Sequence, residues 1–272
     1  MKIRLYSPAH VDEAKVVFPE KDSSWYNLQW TDEEINACKA IELKDFMDNP
    51  GLKTFPNPEL LDFDQKPSEI TLIAKKYLDK HRTFLSVGCG FGQTEMRLAL
   101  EHPDIMFTAI DNAPYVECLN IVANELGLKN ITFSRLDLRN AALEKFDIVF
   151  SQSVIYCIPD DYLHNYFETL SSHINVNGTM IIGCSSNIHF LMKLKLLFRP
   201  SKKKQLVKQT GWMRDIAHVR RFIPDNVRVK KIHHFMHFYH PSIPSFVYVF
   251  SEKIFPISNS SYAFICNNLD KS

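Results

Sequence analysis

The run Phe84-Leu-Ser-Val-Gly-Cys-Gly-Phe-Gly-Gln-Thr94 decides how the rest of the chain is read. Residues 83–87 are apolar enough for a buried strand in the middle of a parallel sheet. Gly88, Gly90 and Gly92 follow at every second position, and 93–100 is built of helix-forming residues. Glycines at this spacing let the backbone take positive φ and let a ligand lie against bare main chain. The first N–H groups of the helix then face that ligand.

The spacing separates two ligand classes. A dinucleotide fingerprint, G-x-G-x-x-G, needs a third glycine at position 93, where this chain has Gln93. The run Gly88-Cys-Gly-Phe-Gly92 instead resembles the G-x-G-x-G turn of the class I S-adenosylmethionine-dependent methyltransferases, whose donor carries an amino-acid tail in place of two phosphates. Three further strand ends extend the resemblance. A run over 105–110 ends at Asp111-Asn112, about twenty residues past the turn, where an acid can accept both ribose hydroxyls. A run over 131–135 leads to Asp137-Leu138, which in the family pattern sits beside the adenine and takes its exocyclic amine. A fourth, Phe146-Asp-Ile-Val-Phe150, leads to Ser151, Gln152 and Tyr156, and resembles the family segment that faces the methyl donor. The resemblance thus implies that S-adenosylmethionine is held by Gly88, Cys89, Gly90, Gly92, Asp111, Asn112, Asp137, Leu138, Ser151 and Gln152. A single strand-end aspartate is commonly a turn or cap residue, so the argument rests on the ordered set.

The fold that follows is α/β, a Rossmann-like seven-stranded sheet, mostly parallel with an antiparallel C-terminal strand and helices on both faces. Ser68 opens a helix whose Ile70, Ile73, Tyr77 and Leu78 share one face. Pro114 starts the helix after the second strand, with Val116, Leu119, Val122 and Leu126 inward and Gly127 closing it. Pro159-Asp-Asp161 opens another, and Asn177-Gly178 turns the chain into a fifth strand over 179–183. The last two strands are expected at 228–240 and 246–253, joined by Pro241-Ser-Ile-Pro244. Three parts result: 1–66 as an N-terminal lid or appendage, 67–255 as the methyltransferase domain with a helical insert at 187–222, and 256–272 as a C-terminal tail. Within the first part, Thr31 and Glu34 suit a capping box for a helix over 31–44. Trp25, Tyr26 and Trp30 just before it either fold over the donor or simply bury area against the domain.

Composition narrows the acceptor. A net charge of +1 over 272 residues does not suit a generic nucleic-acid binder. Family members that methylate amino groups of bases or of glutamine typically carry Asn-Pro-Pro-Tyr or a close relative after the fourth strand, and this chain has Ser151-Gln-Ser-Val. Both observations favour a small-molecule or saccharide-like acceptor, methylated at oxygen. A hydroxyl acceptor must lose its proton, and a positioned base contributes about two to four powers of ten. Tyr156 and His189, beyond the ends of the fourth and fifth strands, are the candidate acceptor-side catalytic residues. His233, His234, His237 and His240 alternate along one strand without a carboxylate partner, so no metal site is expected.

The six cysteines form no C-x-x-C pair and no zinc spacing, as in a reducing compartment, and a cytoplasmic protein is expected. A stretch over 190–208 holds seven Lys and Arg with no acid, interleaved with Leu and Phe. It reads as a solvated basic face, as a peripheral contact with anionic membrane, or as a site for phosphate on a nucleotide sugar or lipid-linked glycan. Trp212 and Arg214, just beyond, are placed over the pocket or, for Trp212, in the core. Two other readings stay open: a catalytically idle relative that binds through the same crevice, and a NAD-dependent oxidoreductase, against which Gln93 counts.

Overall fold

Seven strands alternate with helices in the order read from the sequence, in a computed structural model that describes residues 67–79, 81–113, 116–140, 142–155, 158, 160–184, 214, 216–235 and 261–268. The elements are α1 (Glu69–Lys75), β1 (Thr83–Val87), α2 (Gln93–Glu101), β2 (Met106–Asp111), α3 (Leu119–Glu125), β3 (Ile131–Arg135), β4 (Phe146–Gln152), α4 (Asp160–Ser172), β5 (Ile174–Cys184), α5 (Ile216–Arg220), β6 (Val227–Phe235) and β7 (Ser261–Asn268). They form one sheet in the order β3-β2-β1-β4-β5-β7-β6. Neighbours from β3 to β5 pair in parallel, and β7 runs antiparallel to both β5 and β6.

Strand alternation divides the core between the two faces. Phe84, Phe107, Phe150, Ile181 and Ala263 pack with α1, α2 and α3 on one side. Leu85, Ile110, Val149, Ile182 and Phe264 pack with α4 and α5 on the other. Both faces are therefore covered, which is why β1 is buried along nearly its whole length. The expected caps form: the Ser68 side chain accepts the N–H of Thr71, and Gly127, at φ +71, lets the Leu128 N–H reach back to the Ala123 carbonyl.

Two expectations are corrected. The strand that completes the sheet is β7, at 261–268, within the stretch taken as a tail, and the expected strand at 246–253 lies outside the described residues. A serine followed by aliphatic and aromatic residues carried the strand signal, but the nearer apolar run 246–253 competed with it. The fifth strand starts at Ile174, five residues early, because Asn177 (φ +64) and Gly178 form an irregularity inside it rather than a turn before it. Phe146 pairs with Ile174 and Ile148 with Thr179, so residues 175–178 sit opposite Asp147 alone. The Asp147 carboxylate ties this end of the sheet, accepting from the N–H groups of Arg82 and Thr83 and from Asn175 Nδ2.

Candidate active site

The carboxyl ends of β1, β2 and β4 meet at one edge of the sheet, and the glycine turn occupies the middle of it. Gly88, Gly90 and Gly92 all have positive φ, at +73, +54 and +65. Their reasons differ. A Cβ on Gly88 would lie 2.2 Å from Val154 Cγ2, and one on Gly92 2.3 Å from Phe133 Cε1, so these two glycines make room for the protein's own side chains. A Cβ on Gly90 would meet nothing within 4 Å. Bare main chain thus faces open space at this one position, the condition for a ligand to lie against it.

Asp111, the last residue of β2, is built into that turn. Its Oδ2 accepts the Gly90 N–H at 3.0 Å and its Oδ1 the Ala113 N–H at 3.0 Å. Burial pushes its carboxyl above the ordinary value, opposed by those N–H donors and by that of Asn112. A carboxylate has about four acceptor positions, so capacity remains for hydroxyls on the open side. The methionyl and ribosyl portions of S-adenosylmethionine fit this set: an open glycine main chain beside an acid with spare lone pairs.

The other expected donor contacts are distributed unevenly. Cys89 is partly buried, and burial, with the charges of Asp111 and Glu95, raises its thiol well above the ordinary range, so it stays protonated and non-nucleophilic. The Asn112 carbonyl accepts from Arg135 Nε. Burial would raise the Asp137 carboxyl, but hydrogen bonds and charge from Arg139 outweigh it and leave it below its usual range. This fork occupies both Asp137 oxygens. Leu138 is buried against the face that carries α4. The Ser151 hydroxyl is buried at 2.7 Å from the Tyr166 hydroxyl, whereas Gln152, at the tip of β4, is partly exposed. Tyr156 and His189 lie outside the described residues, as do Trp25, Tyr26, Trp30, Trp212 and the basic stretch 190–208.

Arg214 does not lie over the pocket. It is 4% exposed. Its Nη1 and Nη2 donate to the carbonyls of Ile155 and Ile158, in the loop after β4, and Nε donates to Asp160 Oδ1 at 2.7 Å. His233 Nε2 lies 3.3 Å from the Tyr77 hydroxyl. Among the described residues no group of three His, Cys, Asp or Glu side chains could hold a metal ion, and no helix is long and apolar enough to cross a membrane.

Sequence reasoning missed the pair behind the turn. Ser86 Oγ donates to Glu95 Oε1 at 2.6 Å, joining β1 to the first turn of α2, and both residues are buried. The signal was present as two polar residues at inward positions of otherwise apolar elements. Burial pushes the Glu95 carboxyl up to about 7, against hydrogen bonds from Ser86 and its own backbone, with the Asp111 charge adding to the rise. Because the folded value exceeds the unfolded one, its stabilising contribution is complete below about pH 4 and is lost as pH rises through about 7. Glu95→Gln keeps an acceptor for Ser86 and removes this dependence. Urea unfolding at pH 4.5 and pH 8 is expected to show wild type losing about 3 kcal/mol more than the variant over that interval.

The chain is similar to known proteins in sequence and in fold. A family model described as a methyltransferase domain matches residues 78–232. Trans-aconitate 2-methyltransferases of Escherichia coli strains are 26% identical over 129 residues, covering 46% of this chain and 49% of theirs. The chain spans about half the length of these curated relatives. Among solved structures, phosphoethanolamine N-methyltransferase 2 of Haemonchus contortus, in complex with S-adenosyl-L-methionine, superposes with a TM-score of 0.56 at 13% identity, over 85% of this chain and 60% of that one. Magnesium protoporphyrin IX methyltransferase from Synechocystis, with bound S-adenosylhomocysteine, gives 0.53 at 14% identity, over 83% and 97%.

Proposed function

We propose that this chain, which belongs to the methyltransferase-domain family, is an S-adenosylmethionine-dependent methyltransferase that methylates oxygen on a small-molecule or saccharide-like acceptor. The observation that carries the donor is the pairing of Gly90, whose Cα faces open space, with the Asp111 carboxylate bonded to its N–H. When bound, the donor supplies an activated methyl group on a sulfonium. The chain's own part is then to hold and orient: Asp111 accepts the ribose hydroxyls, the 88–92 turn receives the methionyl tail, and the end of β4 at Gln152 borders the acceptor. Asp137, tied to Arg139, keeps its charge fixed at the adenine end. A base on the acceptor side takes the hydroxyl proton, and His189 and Tyr156 are our candidates for it.

Support for a small acceptor comes from the balanced charge, from Ser151-Gln-Ser-Val at the end of β4, and from curated relatives named for trans-aconitate. The stretch 190–208 supplies an acceptor phosphate contact or a peripheral membrane contact from a cytoplasmic enzyme.

A thermal-shift titration tests the donor: S-adenosylhomocysteine is expected to raise the melting temperature and NAD to leave it unchanged. The reverse result overturns the reading. Acceptor-dependent formation of S-adenosylhomocysteine from a panel of sugars, nucleotide sugars and small hydroxy acids then identifies the substrate. Donor binding without turnover on any panel member would favour the catalytically idle alternative.

A further inference from the structure

The loop that leaves β4 is held at three points. Ser153 sits at φ +56, a conformation that a non-glycine residue keeps only when its surroundings impose it. Its N–H donates to the Gly183 carbonyl of β5 at 2.9 Å. The next residue, Val154, sets a methyl group into the space that a side chain on Gly88 would take. The two carbonyls beyond it, of Ile155 and Ile158, both end on the buried guanidinium of Arg214.

Arg214 is in turn fixed from behind. Its Nε bonds Asp160 at the start of α4, His218 Nε2 lies 3.0 Å from the other oxygen of that carboxylate, and the buried Tyr262 hydroxyl of β7 donates to the Arg214 carbonyl at 3.1 Å. One planar fork therefore addresses three acceptors in three directions, which an ammonium on a flexible stem cannot do. The Ile155 carbonyl also accepts the Ile158 N–H at 3.3 Å, so the fork closes a turn that one local bond already begins, and it ties that turn to the rest of the fold.

We infer that Arg214 is a positioning residue for the donor turn: it clamps the loop after β4 so that Val154 braces Gly88 and keeps the 88–92 turn in its open form. The inference rests on the donor reading above. It goes beyond that reading in joining a residue after the 185–213 segment to a turn more than a hundred positions earlier. Removing the clamp loosens the brace without touching any donor contact. Tyr156 lies in the chain between the two clamped carbonyls, so the acceptor side depends on the same fork.

The test is Arg214→Lys, measured by hydrogen exchange of amides 151–158 and by calorimetry with S-adenosylhomocysteine. Asp147→Ala, which loosens the opposite end of the sheet, serves as a control of comparable stability loss. Arg214→Lys is expected to speed exchange across 151–158 and to weaken S-adenosylhomocysteine about tenfold, while Asp147→Ala leaves both near wild type. Exchange and affinity in Arg214→Lys matching those of Asp147→Ala would overturn the inference. If Arg214→Lys does not fold, Tyr262→Phe removes the bond to the Arg214 carbonyl and keeps the ring. It is expected to show the same local change in smaller measure, and unchanged exchange at 151–158 would overturn the inference equally. Wild-type protein that does not bind S-adenosylhomocysteine would remove the donor reading instead, and the exchange comparison would still decide whether Arg214 holds the loop.

Discussion

Replacing Asp111 by alanine is expected to weaken S-adenosylhomocysteine binding about a hundredfold while leaving the protein folded. Hydrogen bonds to a charged acceptor are each worth about 1.5–3 kcal/mol, so losing two to the ribose removes about 3 kcal/mol or more. The loss has a second origin. Asp111 also receives the N–H groups of Gly90 and Ala113, and without it the turn loses the tie that orders it. Asp111→Asn separates the two contributions, since the amide oxygen can serve one N–H but not both N–H groups and the ribose. Its affinity is expected to fall between wild type and alanine, by calorimetry at pH 7.5. An alanine variant that folds and binds with wild-type affinity would remove Asp111 from the donor site.

The glycines are expected to divide into structural and ligand-facing members when each is changed to alanine. Gly92→Ala puts a methyl group 2.3 Å from Phe133 Cε1 and 2.6 Å from Cζ, and Phe133 is a buried ring of the core. Overpacking of this kind costs about 1–3 kcal/mol, and the left-handed backbone adds about 1–2 kcal/mol. A stability loss of about 3 kcal/mol in urea unfolding follows. Gly90→Ala meets no protein atom and carries only the backbone cost of about 1–2 kcal/mol. Its effect falls on the ligand: the new methyl occupies the open face, and donor affinity is expected to drop at least tenfold. Equal stability losses at the two positions, or a Gly90→Ala variant that binds normally, would contradict this division.

Much of this arrangement was legible because three independent patterns coincide. The hydrophobic strand runs fix β1 to β4 and their parallel direction, the glycine spacing fixes the turn after β1, and the residue types at the strand ends fix Asp111. The helix caps at Ser68 and Gly127 follow from local chemistry alone. What stayed hidden depends on distant contacts. Neither Val154 nor Phe133 carries a sign that it fills the space beside a glycine, and Arg214 has no local feature that separates a buried clamp from a pocket residue. Ser86 and Glu95 could have been paired as polar residues facing inward on adjacent elements, yet nothing short of the packing shows that they meet. The strand at 261–268 was overlooked beside the nearer apolar run 246–253, since alternation alone cannot rank the two.

The position of Ser261–Asn268 has a consequence for how the molecule is made. This segment lies between β5 and β6, so both strands lack their shared partner until residue 268 has left the ribosome. During that interval a nascent chain exposes two hydrogen-bonding ladders of the kind that recruits neighbouring molecules. Closure of this half of the sheet therefore waits on a partner distant in sequence, and chaperone demand should fall in that window rather than during synthesis of the glycine turn.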